Sequence, residues 1–455
     1  MTHPQHNTHT RSASLFRGIL NDFKRRPEDA AKELGLSNEY IDDILTGAKP
    51  LEAELVEKIC QLWPVNPRDF AIIQDDAPNG VIVMRATESA ASRRVMTRNG
   101  KDYYEYRDTA CSRVSSFRPE WIKELHIVED NDAENNTVEW NNGHFMHQFT
   151  YFIGPVNFYY LDEQGQKQVA VMNTGDSMYI SPFVPHTFAT RANTADEQGL
   201  ILALTYGNNL LGDAQQELNA VSQSLSMHYC LDTASPQKIT GALIRYHMNN
   251  LSLTLSALSE QTGINQTDLE KLISGHPKKT DYDVLVCIAT AMNISLRELL
   301  GHDRELTKVV VQTDGPSWPQ EGKNYRYSYR QLASSPLVPM SKALSINIDA
   351  GDREFCGDQQ IGLHQYLYNI GNSPVLIRWQ YEGQAHTQTL AVGDSAYLKP
   401  FLLHDYVADN GQLLSLRIQS KMSGDCLLEL SHIGRDYVGR IVAENQPWFN
   451  RKGRS

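Results

Sequence analysis

The sequence predicts an α+β chain, mainly β, in which a helical module followed by an antiparallel barrel occurs twice in tandem. Three observations carry this prediction. First, Thr262-Gly263-Ile264-Asn265 through Gly275 and Pro277 repeats Leu34-Gly35-Leu36-Ser37 through Gly47 and Pro50. Likewise Gly393-Asp394-Ser395-Ala396-Tyr397 through His404 repeats Gly175-Asp176-Ser177 through His186, and such self-similarity marks a duplicated unit. Second, residues 15–75 read as helices punctuated by Gly35, Gly47 and Pro50. Third, from Gly80 the pattern changes to short, evenly spaced strands with glycine turns, which suits a closed or nearly closed barrel.

In chain order, residues 1–14 are polar, lack the apolar stretch of a signal peptide, and are expected to be disordered. Helices are expected at Leu15 to Lys24, Glu28 to Leu34, Asn38 to Leu45 and Glu52 to Leu62. This 15–75 module resembles the helix-turn-helix of repressor-type proteins. Its would-be recognition helix carries Glu39, Asp42 and Asp43, the wrong charge for phosphates, so a packing role is expected rather than DNA binding. The first barrel spans 76–224 and begins with Val81 to Met84. At its centre an apolar run from Phe149 to Tyr160, a polar turn at 162–166 and a strand from Gln168 to Met172 read as a hairpin, with Phe158, Met172 and Phe183 as core. A second helical module at 225–305 and a second barrel at 306–455 follow.

Composition bounds the function. A chain of 455 residues implies two to four domains, and 41% hydrophobic with 21% charged residues describes a soluble globular protein. The net charge of -12 argues against nucleic-acid and anionic-membrane surfaces. Six scattered cysteines without a Cys-x-x-Cys pair read as reduced thiols of a cytoplasmic protein. With no apolar run of about 18 residues, no membrane-spanning helix is expected.

The chemistry concentrates between Asn141 and Phe188. In an extended strand alternate residues share a face, which groups His144 with Gln148 and turns His147 away. His186 follows Pro185 on a later strand. Two neutral imidazoles with open facial positions suit non-heme Fe(II), although the usual carboxylate ligand is missing. An amide oxygen is a weak ligand, and a buried Gln is usually just hydrogen-bonded, so Gln148 alone leaves both readings open. His147, His364 and His404 read as hydrogen-bonded structural histidines.

Ala91-Ser92-Arg93-Arg94, Arg98-Asn99-Gly100 followed by Tyr106, Asn141-Asn142-Gly143-His144, and Gly175-Asp176-Ser177 through Pro185-His186 resemble a known iron site. It is the cupin (double-stranded β-helix) site of the hydroxyethylphosphonate dioxygenase and methylphosphonate synthase family. The fold implied is thus a tandem repeat of a helix-turn-helix-like helical module followed by a cupin barrel. The dioxygenase branch carries a ligating Glu six residues before the second His, where this chain has Ile180. The synthase branch uses a Gln four residues after the first His, where Gln148 stands. The resemblance implies His144, Gln148 and His186 as ligands of Fe(II), with Lys24, Arg98, Tyr106 and Asn141 as catalytic and substrate-binding residues and His186 against the substrate. Read alone, Arg98 and Lys24 would be solvated surface charges. Lys24 must reach the barrel from a neighbouring domain or subunit.

The implied activity is Fe(II)- and O2-dependent C-C cleavage of 2-hydroxyethylphosphonate to methylphosphonate and CO2 or bicarbonate, in a homo-oligomer such as a tetramer. The alternatives are the dioxygenase outcome, hydroxymethylphosphonate and formate, and a helix-turn-helix cupin regulator of transcription. Ile361 stands opposite His144 in the second copy, Gln320 opposite Arg98 and Ser252 opposite Lys24. The second barrel is therefore expected to be metal-free and structural.

Overall fold

The structure, a computed structural model, describes residues 4–192, 197–207, 210–276, 281–301, 307–351, 354–418 and 421–448. Pro277, which the sequence pairs with Pro50, lies outside them, as do residues 1–3 of the N-terminal segment.

The first helical unit comprises Pro4–Asp22, Pro27–Leu34, Asn38–Thr46 and Ala53–Leu62. Proline opens the second of these, where a missing N–H costs nothing. Ser37 caps the third by accepting from Tyr40 N at 3.1 Å. Gly35 and Gly47 end two helices at φ of 65° and 76°, in the left-handed region that glycine enters without strain. Phe16, Leu20, Leu34, Ile41, Ile44 and Ile59 form the core. The first helix begins at Pro4 rather than after a disordered segment to residue 14. Tertiary contacts account for the difference: Ala13 and Phe16 are buried, and Arg11 Nη1 donates to Ile73 O at 2.7 Å. The same helix stops at Asp22, so Lys24 lies beyond it with φ 55°.

A second helical unit, Pro236–Asn250, Leu255–Thr262, Gln266–Ile273 and Tyr282–Met292, is capped by Ser235, Thr254, Asn265 and Asp281. Among the described residues, no helix is long and apolar enough to cross a membrane.

The regular structure between and after these units is mainly sheet. In the first β-unit a seven-stranded sheet faces a four-stranded one. The larger sheet runs Val309–Gln312, Ser177–Ile180, His147–Ile153, Leu200–Tyr206, Glu120–Glu124, Lys101–Asp108, Arg94–Arg98. The smaller contains Ile127–Val128, His186–Arg191, Val156–Leu161 and Lys167–Met172. Phe152, Phe158, Met172, Met178, Ile180 and Phe188 fill the space between them. Phe183 is not core: it sits exposed in a turn with φ 63°. The second β-unit, from Ser317–Gly322 to Leu403–Ile418, encloses its own core around Ile346, Leu367, Ile377 and Leu398.

The two units exchange strands. Val81–Met84, expected to open the first barrel, pairs antiparallel with Ser395–Leu398 of the second unit. Val309–Gln312 pairs with Ser177–Ile180 of the first. A third core lies between the units, where Trp121, Tyr151, Tyr179 and Leu204 meet Tyr366, Tyr368, Tyr397 and Leu416. Trp121 and Tyr368 meet edge to face at 5.7 Å, a favourable aromatic geometry. Strands of the first unit stop at Tyr206 and a helix, Asp213–Val221, follows where strand was expected to continue. The chain also closes on helices Asp425–Ile433 and Val438–Val442 rather than on barrel strands.

Candidate metal centre

A cavity of about 190 Å³ opens in the first β-unit, and Arg98, Tyr106, Asn141, His144, Gln148 and His186 line it. Gln148 is the second residue of His147–Ile153, and His186 is the first of His186–Arg191. His144 stands in the loop before the strand, not in the extended strand that alternation implied. Two contacts fix that loop: Phe183 N donates to His144 O at 2.8 Å, and Gly143, at φ 71°, lets the backbones touch. A Cβ on Gly143 would lie 2.6 Å from the Phe183 carbonyl carbon.

Hydrogen bonds determine which ring nitrogens are free. His144 Nδ1 lies 2.8 Å from Met146 O, and a carbonyl only accepts, so the proton sits on Nδ1 and Nε2 keeps a lone pair. That lone pair faces Gln148 Oε1 at 2.9 Å. In this orientation Gln148 Nε2 donates to Thr150 Oγ1 at 2.9 Å, which turns the amide oxygen towards the imidazole. Two acceptors held face to face repel unless a cation lies between or beside them. His186 Nδ1 is likewise committed to Val184 O at 2.8 Å, leaving Nε2 as acceptor for Asn141 Nδ2 at 3.1 Å. Burial pushes the His186 imidazole pKa down to about 4, which keeps it neutral and ligand-competent at neutral pH. The two imidazole centroids are 5.3 Å apart. Among the described residues no three His, Cys, Asp or Glu side chains are grouped to hold a metal. Ile180 pairs directly across from Gln148 and is fully buried, so the amide oxygen is the third donor available. Two imidazoles and an amide suit Fe(II), which accepts mixed nitrogen and oxygen donors and open positions.

The cavity has one strong cation. Arg98 packs against Tyr103 and Tyr104, its guanidinium carbon 4.9 and 4.8 Å from their centroids. Its Nη1 donates to Glu139 O and, at 3.3 Å, to Thr187 Oγ1. Burial pushes the Tyr106 hydroxyl pKa up to about 12, so it stays a donor. Asn141 is fixed by accepting at Oδ1 from His186 N and Gly143 N, each at 2.9 Å. Lys24 is not among the lining residues. Its ammonium donates to Asp22 O at 2.5 Å and stands 5.6 Å from the Trp448 ring, so this chain does not bring it to its own cavity.

Several lining residues escaped the sequence reading, including Tyr104, Glu120 and Thr205. Near Arg98, Glu124 is fully buried with neither carboxylate oxygen hydrogen-bonded among the described residues, and burial holds its carboxyl well above the usual range. These residues lie on strands Lys101–Asp108, Glu120–Glu124 and Leu200–Tyr206, and only the cross-strand pairing of these strands shows that they converge.

The second β-unit commits its polar groups differently at the matching place. His404 Nδ1 donates to Leu402 O at 2.7 Å, as in His186, but its Nε2 accepts from Tyr406 O–H at 3.1 Å. Gln320 accepts from Tyr329 O–H at 2.9 Å and from Gln359 Nε2 at 2.8 Å.

Residues 244–305 match the Cro/C1-type HTH DNA-binding domain family. The chain is 47% identical over 447 residues to methylphosphonate synthase of Nitrosopumilus maritimus (strain SCM1), covering 97% of this chain and 96% of that protein. It superposes with a TM-score of 0.90 and 37% identity on Streptomyces albus HEPD with 2-hydroxyethylphosphonate and Fe(II) bound, covering 97% and 99% of the two chains. A variant of 2-hydroxyethylphosphonate dioxygenase shares the fold at 21% identity, with a TM-score of 0.75 and coverage of 92% and 97%. On identity and coverage together, the chain belongs to the family that contains methylphosphonate synthase and hydroxyethylphosphonate dioxygenase.

Proposed function

We propose that this chain is a methylphosphonate synthase, converting 2-hydroxyethylphosphonate and O2 into methylphosphonate and CO2 or bicarbonate with Fe(II) held by His144, Gln148 and His186. The observation that carries it is the opposition of His144 Nε2 and Gln148 Oε1 at 2.9 Å across from an aliphatic Ile180. A neutral ligand set leaves the ferrous charge undiminished, which favours a dianionic phosphonate.

Fe(II), when bound, supplies the redox chemistry with O2. The overall conversion balances with water as the remaining product, and the substrate itself provides the four electrons that O2 accepts. The residues of the chain bind and orient. Arg98, rigidified by its two tyrosines, offers fork geometry to phosphonate oxygens. Tyr106 donates a hydrogen bond without ionising, and Asn141 Nδ2 turns from His186 Nε2 to the substrate once that nitrogen binds metal. Phe188 and Ile122 in the cavity wall limit water. Lys24 would arrive from a second copy of the chain, which fits a homo-oligomer.

We further read each β-unit as a cupin barrel and the chain as a tandem repeat of helical module and barrel. Matching backbone anomalies support this. Lys24 and Ser252 have φ of 55° and 51°, Phe183 and Phe401 have 63° and 61°, and Gly175 and Gly393 have 97° and 82°.

The dioxygenase outcome remains the second reading, favoured by the 37% identity to HEPD. Anaerobic reconstitution with Fe(II), addition of 2-hydroxyethylphosphonate and O2, and phosphorus NMR decide the matter. Methylphosphonate is the expected product, hydroxymethylphosphonate would establish the second reading, and unchanged substrate would reject both.

A further inference from the structure

The second barrel lacks the metal set, yet its interior is not apolar. In the first barrel Gln148 is flanked by Ile180 on one strand and Thr205 on the other. In the second, Gln365 is flanked by Leu398 and Arg417. An arginine therefore stands where the first barrel has a threonine lining the metal cavity. Gln365 is fully buried, and neither its Oε1 nor its Nε2 has a hydrogen-bond partner among the described residues. Arg417 Nε and Nη2 are buried and equally unpaired, as is Ser415 Oγ, two residues along the same strand and on the same face. The guanidinium carbon of Arg417 is 6.0 Å from the Tyr329 ring centroid. Among the neighbouring polar groups, His404 is held by Leu402 O and Tyr406, Asp405 by Arg378 in two bonds of 2.8 Å, and the Asp358 carboxylate acts on the same Tyr329 and Tyr406 hydroxyls as Arg417 does.

Arg417 as a whole is half-buried, but its Nε and Nη2 are not open to water, and buried donors are almost always matched. Nε and Nη2 form one edge of a planar fork, the edge that meets the two oxygens of a carboxylate. We infer that the second barrel binds a small planar oxyanion of the carboxylate class, the size of formate or bicarbonate, between Arg417, Gln365 and Ser415. The arginine supplies the positive charge that a metal would supply in the first barrel. The inference stands independently of the reaction assigned to that barrel.

The test uses metal-free full-length protein titrated with sodium formate, sodium bicarbonate or inorganic phosphate at constant ionic strength, followed by thermal denaturation. Ligands that bind only the folded state raise the melting temperature in a saturable way. Formate or bicarbonate should do so, and Arg417→Met should weaken the apparent affinity by about tenfold or more, the loss of one charge-assisted contact. His144→Ala should leave the response in place. If Arg417→Met does not fold, Gln365→Leu must show the loss instead. A response absent for both carboxylate-class ions, stronger for phosphate, or abolished by His144→Ala would overturn the inference.

Discussion

His186 and His404 share a backbone setting, each giving its Nδ1 proton to a carbonyl two residues earlier, yet they differ in what meets Nε2. Tyr406 closes the lone pair of His404, whereas Phe188, two residues after His186 in the first barrel, has no hydroxyl to offer. One iron per chain is therefore expected. His144→Ala or His186→Ala should bring bound iron from about one per chain to a small fraction, while His404→Ala keeps it, because a site missing one of three ligands loses most of its affinity. Metal analysis after desalting checks this, and two irons per chain would contradict it. Arg98→Ala should raise KM for the phosphonate by an amount corresponding to about 1.5–3 kcal/mol, with iron content unchanged, since a hydrogen-bonded charge contact is worth that much. At this scale the sequence was informative where residues lie close together. His144, Gln148 and His186 were grouped by strand alternation and flanking motifs, although His144 lies in a loop, and Asn141 entered only through the family resemblance. Thr205, Tyr104 and Glu124 could not, because each looks like an ordinary strand residue until three strands are paired.

Elements hold these residues in place, and two predictions belong to them. The Gly143 turn presses on the Phe183 backbone, so Gly143→Ala must push the His144 loop outward while also placing a side chain at positive φ. Destabilisation of about 1–3 kcal/mol is expected together with weakened iron retention. Unchanged melting temperature and iron content would show that the loop yields freely. The second prediction concerns acid. His364, bonded through Nδ1 to Tyr397 O–H at 2.8 Å, and His404 are both buried, and burial pushes both down to about 4 from an ordinary 6.5. Between those values the unfolded chain carries more protons than the folded one, so stability rises with pH across the window. Lowering the pH from 7 to about 4 should cost up to about 3 kcal/mol per histidine, and His364→Gln should flatten the melting curve against pH. No dependence between pH 7 and 5 would contradict the burial argument. Helices were legible because Ser37, Gly35 and Gly47 mark their ends chemically. Strands were legible as strands but not as partners: the apolar run Val81–Met84 says nothing of Ser395–Leu398, more than half a chain away.

For the whole molecule, the strand exchange makes the two β-units interdependent. Residues 1–224 alone would leave Ser177–Ile180 without one neighbour and Val81–Met84 without any, exposing sheet edges and the aromatic layer around Tyr151 and Tyr179. Each half expressed alone should aggregate or lack cooperative unfolding, and co-expression with residues 225–455 should restore soluble, iron-retaining protein. A monomeric, cooperatively melting first half would refute this interdependence. The repeated Gly-Asp-Ser motifs suggest which segments correspond and not which ones touch, so the swapped strands were not legible in the sequence. The crossing also orders events at the ribosome. The strand bearing Gln148 is synthesised early, but its sheet lacks a member until Gln312 has emerged, and Val81–Met84 waits longer still for Leu398. At typical elongation rates the second delay is roughly 15 seconds to a minute, during which a nascent edge needs protection. Translation speed and chaperone supply should therefore govern the yield of active protein more strongly than the stability of the finished molecule does.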